Sequence, residues 1–380
     1  MRAGQFVSQP EGYTAFIPAP LPPDPTIHMD NELTRLLSDA DRVLGRLDGV
    51  SSVLPNPDLF MAMYVRHEAV LSSQIEGTQS SLDDVLQFEV DARGHYPRDI
   101  EEVVNYVRAI NYGLERLHDL PLCLRLIREI HATLLEGVRG AERTPGEFRR
   151  SQNWIGPAGC TLATATFVPP PVPAMHQALD NFEKFLHETE TFPQLVHCGL
   201  AHAQFETIHP FLDGNGRVGR LLIMFLLCQQ HILQRPLLYL STYLKAHRQE
   251  YYDRLDAIRY QGEWEGWLKF FLRGVYEVSQ ESTQTARHIL SLQEAQRQTI
   301  GEKLSGSAAG LRLLDYLFEY PLVTVRIVER ALGCSYATAN KLVEQFVEAG
   351  ILCEVTGWQR NRRYQFEPYM ELFRGPRIGN

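Results

Sequence analysis

Residues 209–233 read HPFLDGNGRVGRLLIMFLLCQQHIL, and this stretch indicates both a helical core and a site for anion chemistry. From Leu221 to Leu233 nearly every face of a helix would be apolar, which is typical of a helix buried at the centre of its domain. The twelve residues before it combine a histidine, a carboxylate, small or amide-bearing turn residues and two arginines. We therefore expect a buried central helix with a reactive loop at its start.

The loop has the composition of an anion-binding cradle. Gly214, Asn215 and Gly216 can turn tightly and expose backbone N–H groups, and the following helix adds the donors and the dipole of its N-terminus. Arg217 and Arg220 are three residues apart at the start of that helix, hence on one face. Their guanidinium groups match phosphate oxygens in geometry. The loop therefore predicts a site for a polyphosphate.

A base and a carboxylate accompany this cradle. His209 titrates near neutrality and can take a proton from an attacking hydroxyl. Asp213 is placed to bind Mg²⁺ together with phosphate oxygens and water. A lone histidine or an Asp-Gly-Asn-Gly turn is usually structural, but a plain turn has no use for a base and two arginines. No Gly-Lys-Ser/Thr follows, which excludes a P-loop, so the loop favours phosphoryl or nucleotidyl transfer.

The rest of the chain is predicted to be mostly helical, and the fold class is all-α. Apolar residues recur at spacings of three and four in five segments: residues 31–135, 173–188, 193–208, 251–260 and 264–299. Five prolines between Pro18 and Pro25 forbid helix and predict an extended arm over residues 1–27. Residues 151–173 combine Gly and Pro turns with β-compatible residues, which indicates a short β-hairpin or flap.

The C-terminal part has the pattern of a winged helix-turn-helix after a Gly/Ser/Ala-rich linker at residues 301–310. The pattern consists of three short helices and two wing strands: residues 311–319, 325–332, 336–348, 351–355 and 363–366. Residues 311–380 hold nine Arg and Lys against eight Asp and Glu, whereas a strong DNA binder shows a clearly positive face. DNA binding, dimerisation and target docking therefore stay open with equal weight.

Charge and cysteine content indicate the compartment. The net charge is −9, from 37 Lys and Arg and 46 Asp and Glu, so bulk electrostatics do not favour nucleic acid or an anionic membrane. The longest apolar run, residues 221–228, is too short to span a bilayer, and the N-terminus lacks an apolar signal core. Six scattered cysteines predict reduced, mostly buried thiols. We expect a cytoplasmic protein with no membrane partner.

The loop resembles the signature His-Pro-Phe-x-Asp-Gly-Asn-Gly-Arg-x-x-Arg of the Fic (filamentation induced by cAMP) family at every fixed position. The resemblance implies an all-α core and transfer of AMP from ATP to a Ser, Thr or Tyr hydroxyl of a target protein, the chain itself included. It implies that His209 deprotonates that hydroxyl and that Asp213 holds Mg²⁺ on the phosphates while pyrophosphate leaves. Residues 214–216 would form the anion hole, and Arg217 and Arg220 would bind the outer phosphates.

Two further segments resemble the family. Residues 145–149 (PGEFR), 154–156 (WIG) and 168–171 (VPPP) are similar to its flap, which would pair with an extended target segment by β-augmentation; an ordinary loop is the alternative. The Tyr251-Tyr252 pair is similar to the tyrosines that border the adenine, one ring against the base and the other in the core. The resemblance thus assigns nucleotide contacts to Thr164, Ala165, Thr166, Phe167, Tyr251 and Tyr252.

Upstream, residues 72–77 (SSQIEG) fit the family's inhibitory pattern Ser/Thr-x-x-x-Glu-Gly/Asn, whose fixed positions are Ser72, Glu76 and Gly77 here. The resemblance implies that Glu76 pairs with Arg220 and occupies the guanidinium that the γ-phosphate needs. ATP would then bind with its α-phosphate misaligned for in-line attack. A glutamate near a helix end is otherwise simply solvated.

These observations predict five segments: an arm (1–27), an N-terminal helical module with the inhibitory helix (28–120), a Fic core (121–300), a linker (301–310) and a winged helix-turn-helix (311–380). The rival hypothesis is a winged-helix DNA-binding regulator whose core only senses nucleotide; the intact His209 argues against it, because binding alone needs no base. Relatives of this family also transfer UMP, phosphocholine or phosphate, although the full motif favours ATP. A homodimer is an expectation by analogy.

Overall fold

The computed structural model describes residues 2–52, 57–91, 93–138, 141–157, 159–188 and 190–374. The predicted arm and winged module therefore lie partly outside the described residues, at Met1 and at residues 375–380. Helices dominate the described chain, as the sequence predicted. They are α1 (Asn31–Ser52), α2 (Pro57–Ile75), α3 (Leu82–Val90), α4 (Ile100–Arg116), α5 (Leu124–Leu134), α6 (Val172–Leu186), α7 (Gln194–Ile208), α8 (Asn215–Gln229), α9 (Ser241–Ala246), α10 (Arg248–Gln261), α11 (Trp264–Lys303), α12 (Ala308–Glu319), α13 (Val325–Leu332), α14 (Tyr336–Glu348) and α15 (Glu367–Met370).

Helices α7 and α8 form the centre of the core. Every residue from Leu195 to Ile208 is buried, as is the apolar run Leu221 to Leu227. The 40-residue helix α11 packs against both α1 and α7, and the indole of Trp267 donates to the carbonyl of Gly199 at 2.8 Å. This all-round burial holds the loop between α7 and α8 inside a rigid frame, because its two flanking helices cannot move independently of the core.

The bounds of α8 differ from the predicted 221–233. The helix begins at Asn215, because Gly214 adopts a left-handed φ of 76° at its N-cap, and the apolar run used for the prediction starts only after that first polar turn. It ends at Gln229, two residues before His231, whose φ of 55° breaks the helix. Gly216, Gly219 and the two arginines therefore lie within the helix, as expected for the arginines, and Gly214 is its N-cap.

The N-terminal arm is folded, which the sequence did not predict. Strands β1 (Gly4–Ser8) and β2 (Thr14–Pro18) form an antiparallel hairpin with Phe6 opposite Phe16. The prolines behind the prediction begin at Pro18, where the hairpin ends, so they do not prevent pairing upstream. Phe16 is fully buried and its N–H donates to the carbonyl of Val168 at 2.9 Å. The hairpin therefore packs on the flap region.

The predicted flap hairpin is reduced to one antiparallel bridge. Ile155 and Phe167 exchange both backbone hydrogen bonds, at 2.8 and 3.0 Å. The described residues between them form no strand, and the proline run 169–171 offers no N–H to extend the pairing.

The predicted linker is also shorter than expected. Helix α11 continues through Gly301 to Lys303, and α12 begins at Ala308, capped by the Ser307 hydroxyl. Gly310 packs against Ile300, which leaves no room for a long flexible connection. We call residues 308–374 the C-terminal module.

The C-terminal module contains α12 to α15 and a three-stranded antiparallel sheet. Strands β3 (Leu322–Val323), β4 (Cys353–Glu354) and β5 (Tyr364–Gln365) have the order β3–β5–β4. The sequence predicted α13 and α14 with their observed bounds, and it predicted longer versions of β4 and β5. It missed β3, whose two residues lie directly between two predicted helices.

No described helix is both long and apolar enough to cross a bilayer. The six cysteines are free thiols, but only Cys198 is buried, and the other five are half-buried. The expectation of mostly buried thiols was therefore wrong.

Gly113 supplies a test of the core. A Cβ added to it would lie 2.3 Å from Cζ of Phe225 in α8, whereas nothing lies within 4 Å of one added to Gly45 in α1. Gly to Ala in a helix interior normally adds about 0.5–1 kcal/mol of stability. We expect Gly45→Ala to raise the midpoint of urea unfolding and Gly113→Ala to lower it. An equal gain from both would show that α4 and α8 are not in close contact.

Candidate active site

His209 ends α7 in a left-handed conformation, with φ 50° and ψ 61°. Such backbone is uncommon for a non-glycine residue and persists only where the surroundings hold it. Here the His209 carbonyl accepts from Nε of buried Arg149 at 3.1 Å and from Nδ2 of Asn153 at 3.2 Å. Asn153 also donates to the carbonyl of Phe211 at 2.8 Å. The residues around the flap therefore fix the backbone of the proposed base.

Asn215 closes the same loop from the other side. Its Oδ1 accepts from the Phe211 N–H and its Nδ2 donates to the Phe211 carbonyl, both at 2.8 Å. The Asn215 side chain therefore shapes the loop. The group of Asn215 that can bind an anion is its backbone N–H, which lies in the first turn of α8.

His131 on α5 is a part of the site that the sequence did not reveal. Its ring stacks on Phe211, with centroids 3.7 Å apart and planes 5° from parallel. Nδ1 accepts from the Gly146 N–H at 2.8 Å, so Nε2 carries the proton and donates to the Asp213 carbonyl at 3.0 Å. Burial lowers the pKa of His131 to about 4, which keeps the ring neutral. His131 thus holds the middle of the loop.

Arg217 and Asp213 lie beside the loop as an ion-paired set. The buried Arg217 guanidinium donates to Oε2 of Glu102 on α4 at 3.1 Å, and its Nη2 is 3.5 Å from Oδ1 of Asp213. Asp213 Oδ1 also accepts the Gly214 N–H at 2.6 Å. The Asp213 side chain is 40 % exposed, so its carboxylate reaches solvent. Glu102 is a second residue that the sequence did not reveal.

The structure brings the predicted inhibitory residues onto Arg220. Nη2 donates to Oε1 of Glu76 at 2.8 Å and to the Ser72 carbonyl at 3.0 Å, while Nε donates to the Ser72 hydroxyl at 2.8 Å. The Arg220 side chain is only 2 % exposed. Burial acts to raise the pKa of Glu76, but the Arg220 guanidinium outweighs it and leaves that pKa below its ordinary value.

Glu76 lies directly over the first turn of α8. A Cβ built on Gly216 would lie 2.4 Å from Glu76 Oε1 and 3.0 Å from Nη1 of Arg220. Gly216 therefore has to lack a side chain for this pairing to form. The carboxylate thus lies at the helix N-terminus, where an anion is favoured. Gly77 follows with φ 98°, a turn that suits glycine.

Two further buried carboxyl groups interact electrostatically with the Arg220 guanidinium. Burial raises the pKa of Glu68 on α2 and of Glu206 on α7, each to about 7. Glu206 Oε1 has no hydrogen-bond partner among the described residues, and it abuts Gly219, where a Cβ would lie 2.2 Å away. His202 joins the same layer, because its ring nitrogens lie 2.8 Å from the Gly219 carbonyl and 2.9 Å from the Tyr251 hydroxyl. Sequence spacing gave no signal for these three residues.

The His209 imidazole is neutral at physiological pH. Burial, reinforced by the Arg259 and Arg149 cations, lowers its pKa to about 3. Its Nδ1 is buried with no partner among the described residues. A neutral imidazole has a lone pair free to take a proton, which is what a general base requires.

The predicted nucleotide-contacting residues divide into exposed and buried members. Thr164 and Thr166 are exposed and Ala165 is half-buried, whereas Phe167 is buried under the Arg259 guanidinium, whose Cζ is 3.9 Å from the ring centroid. Tyr251 is buried and bound to His202, so it belongs to the core. Tyr252 is 36 % exposed, with the Arg248 guanidinium 5.6 Å from its ring centroid.

Glu206 predicts a specific pH dependence of stability. Its folded pKa of about 7 exceeds the ordinary 4.5, so its stabilising contribution is complete below pH 4.5 and is lost as pH rises to 7. An amide does not titrate. The stability of Glu206→Gln relative to the unsubstituted chain should therefore rise between pH 4.5 and 7, by on the order of 1–3 kcal/mol, since each pKa unit is worth about 1.4 kcal/mol. Urea unfolding at both pH values measures this difference.

The exposed Glu302 provides the control for that measurement. Glu302→Gln should leave the pH dependence of the unfolding free energy unchanged. A Glu206→Gln variant that behaves in the same way would mean that Glu206 is ionised in the fold.

Comparison with known proteins places this geometry in a family. Residues 34–115 match the model of the Fic/DOC family N-terminal region, and residues 121–227 match that of the Fic/DOC family. Protein adenylyltransferase Fic of Aedes aegypti is 29 % identical over 257 residues, which cover 64 % of this chain and 46 % of that relative. A probable protein adenylyltransferase of Aquifex aeolicus is 28 % identical over 196 residues, or 50 % of this chain and 56 % of that relative.

The chain thus spans about half the length of the curated relatives it matches. Among solved structures, a Fic family protein from Desulfovibrio desulfuricans has the same fold, with a TM-score of 0.58 at 20 % identity over 90 % of this chain and 97 % of that one. The matched segments contain the loop at residues 209–220 and the glutamate that lies on it. On these matches and this site, residues 34–115 and 121–227 of the chain belong to the Fic/DOC family.

Proposed function

We propose that this chain is a protein adenylyltransferase whose own Glu76 holds it inactive. The observation that carries the proposal is the position of the Glu76 carboxylate, over Gly216 and on the Arg220 guanidinium. A carboxylate there occupies the two features that a terminal phosphate would use, the helix N-terminus and the buried cation. The adenylyltransferase names of the relatives support ATP as the donor.

The proposed reaction uses the neutral His209 ring. It takes the proton from a Ser, Thr or Tyr hydroxyl of the target, whose oxygen forms a bond to the α-phosphorus of ATP. The bond from that phosphorus to the bridging oxygen of the β-phosphate breaks, and pyrophosphate leaves. Phosphoryl chemistry of this kind depends on positioning and charge neutralisation more than on covalent help from the protein. The backbone N–H groups of Asn215 and Gly216 and the Arg220 guanidinium provide both.

The residues present fit Mg²⁺ bound jointly with phosphates. No group of three or more His, Cys, Asp or Glu side chains that could hold a metal occurs among the described residues. Asp213 is a single carboxylate that reaches solvent beside the cradle, and Mg²⁺ typically uses one or two carboxylates plus phosphate oxygens and water. Mg²⁺ would neutralise charge on the phosphates there. Arg217, already paired with Glu102, orients the Asp213 carboxylate.

The brake predicts a gain of activity on removing Glu76. Glu76→Gly should increase self-labelling from ATP carrying label on the α-phosphate by on the order of tenfold, the factor that about 1.4 kcal/mol of competition supplies. Adding His209→Ala should abolish the labelling. Label on the γ-phosphate should not transfer, which separates AMP transfer from phosphate transfer. Excess UTP or CDP-choline should not compete, which separates it from UMP and phosphocholine transfer.

Glu101→Gln, in the first turn of α4, is the matched control and should label at the wild-type level. If Glu76→Gly labels no more than wild type, the brake assignment is wrong.

A second function, nucleic-acid binding by a winged helix, is favoured by one surface of the C-terminal module. A cleft of about 740 Å³ lies between α14 and the β4–β5 connection. Among its lining residues, four arginines outnumber Asp91 and Glu344, and two exposed aromatic rings could stack on bases. These lining residues are Arg326, Arg360, Arg362, Arg363, Tyr336 and Trp358. Under this alternative the core would only sense nucleotide. With either function, a homodimer and a cytoplasmic location stay predictions.

Gel shifts with a DNA duplex test this alternative. Replacing Arg360 and Arg362 with Ala should weaken binding several-fold and reduce the slope of log affinity against log salt by about 1–2, because phosphate contacts release counterions. Arg312→Ala is the control, because that guanidinium donates to the Leu332 carbonyl within the module. The absence of any shift at low salt would exclude DNA binding by this cleft.

A further inference from the structure

We infer that the C-terminal module is the second half of the brake. It grips the helices on both sides of Glu76 and so holds the glutamate on Arg220. We call residues 72–82, which contain Glu76 and join α2 to α3, the brake segment. The inhibitory role of Glu76 rests on the proposed function, whereas the restraint of these helices by the module can be measured without any transfer activity.

The module holds α2 through a buried arginine and an aromatic contact. Nη1 of Arg66 donates to the carbonyl of Glu319, the last residue of α12, at 3.1 Å. The Arg66 guanidinium also lies 5.5 Å from the ring centroid of Tyr320. Nearby, Tyr64 meets Phe373 edge to face at 5.2 Å. Arg66 is 6 % exposed, so loss of these partners would leave its charge buried without full compensation.

Residues near the C-terminal end of the module hold α3 through four polar contacts, one of them from Arg363 Nη1 to Oε1 of Gln87 at 3.4 Å. Arg374 pairs with Asp83 at 2.7 Å, and Gln365 donates to the same carboxylate at 3.1 Å. Arg363 pairs with Asp91, at the end of α3, at 3.1 Å. These contacts lie at both ends of the helix. Together they fix its position and its direction relative to the module.

The two gripped helices are also tied to each other. Arg66 on α2 forms an ion pair with Glu89 on α3, with Nε 2.9 Å from Oε1. Across the turn, Gln74 Nε2 donates to the Ser80 carbonyl at 2.9 Å, and Ser81 caps α3 with Asp84. The brake segment is thus a short connection between two helices whose relative position is set.

This arrangement couples the module to Glu76. The glutamate directly follows α2, and its N–H still donates to the Ser73 carbonyl at 3.0 Å, so it moves with the end of that helix. Moving the Glu76 backbone away from Arg220 therefore requires a shift of the α2 end or a rearrangement of the turn before α3. Both shifts would disturb contacts that the module makes. Asp83 and Asp91 are 43 % and 46 % exposed, so each ion pair alone is weak and the restraint needs several of them.

The test removes the grip on α3 and follows the brake segment directly. In Arg363→Ala/Arg374→Ala, amide hydrogen exchange over residues 72–82 should rise about threefold to tenfold, the range that two partly exposed ion pairs supply. Self-labelling from ATP should rise toward the Glu76→Gly level. The matched control is Arg312→Ala/Arg330→Ala, whose guanidinium groups donate to the carbonyls of Leu332 and Arg326 inside the module. The control should match the wild type in both measurements.

A charge-reversal experiment distinguishes loss of the Arg363–Asp91 contact from general damage to the fold. Arg363→Asp places two carboxylates together and should raise exchange and labelling, and adding Asp91→Arg should bring both back toward wild type. The inference is overturned if the Ala double variant exchanges like its control, if exchange rises without labelling while Glu76→Gly labels strongly, or if the reversed pair fails to restore the brake. If Glu76→Gly shows no increase in self-labelling, the proposed function is wrong. The hydrogen-exchange result then tests by itself whether the module restrains the brake segment.

Discussion

The buried guanidinium of Arg220 is the constraint on which the rest of the site depends. A permanent positive charge removed from water must be paired and hydrogen-bonded, and Ser72 and Glu76 supply that pairing from a different module of the chain. The end of α2 is thereby tied to the start of α8. Under the proposed function, an incoming phosphate would have to displace the Glu76 carboxylate from this cation. The anion held by Arg220 would then set the state of the protein.

Around that pair, burial disfavours the charged forms of several other titratable groups. Burial lowers the pKa of His131 and His202 to about 4 and raises the pKa of Glu68 and Glu206 to about 7. The neutral histidines act as fixed hydrogen-bonding struts. His209, neutral for the same reason, keeps a lone pair available for proton transfer. Burial is thus the largest cause of neutrality both in the histidines that hold the loop and in the proposed base.

The C-terminal module contributes charged contacts farther from Arg220. Arg363 lies between the basic cleft and α3, so it takes part in the surface proposed for nucleic acid and in the contact with Asp91. The brake segment connects α3 to the helix end that carries Glu76. Under the two proposals, Arg363 would therefore belong both to the nucleic-acid surface and to the grip on α3, so that binding at this surface could bias the brake.

The sequence by itself determined the helices with clear apolar period or caps, the loop from His209 to Arg220, and Glu76 as a partner for Arg220 through family resemblance. These features depend on residues near one another in the chain or on a recognisable local pattern. Only the tertiary structure decided that Glu102 pairs with Arg217 and that His131 supports the loop. It also decided that the N-terminal arm folds as a hairpin. Such contacts join elements that are distant in the chain, and which buried charges meet depends on how helices pack, which local periodicity does not encode.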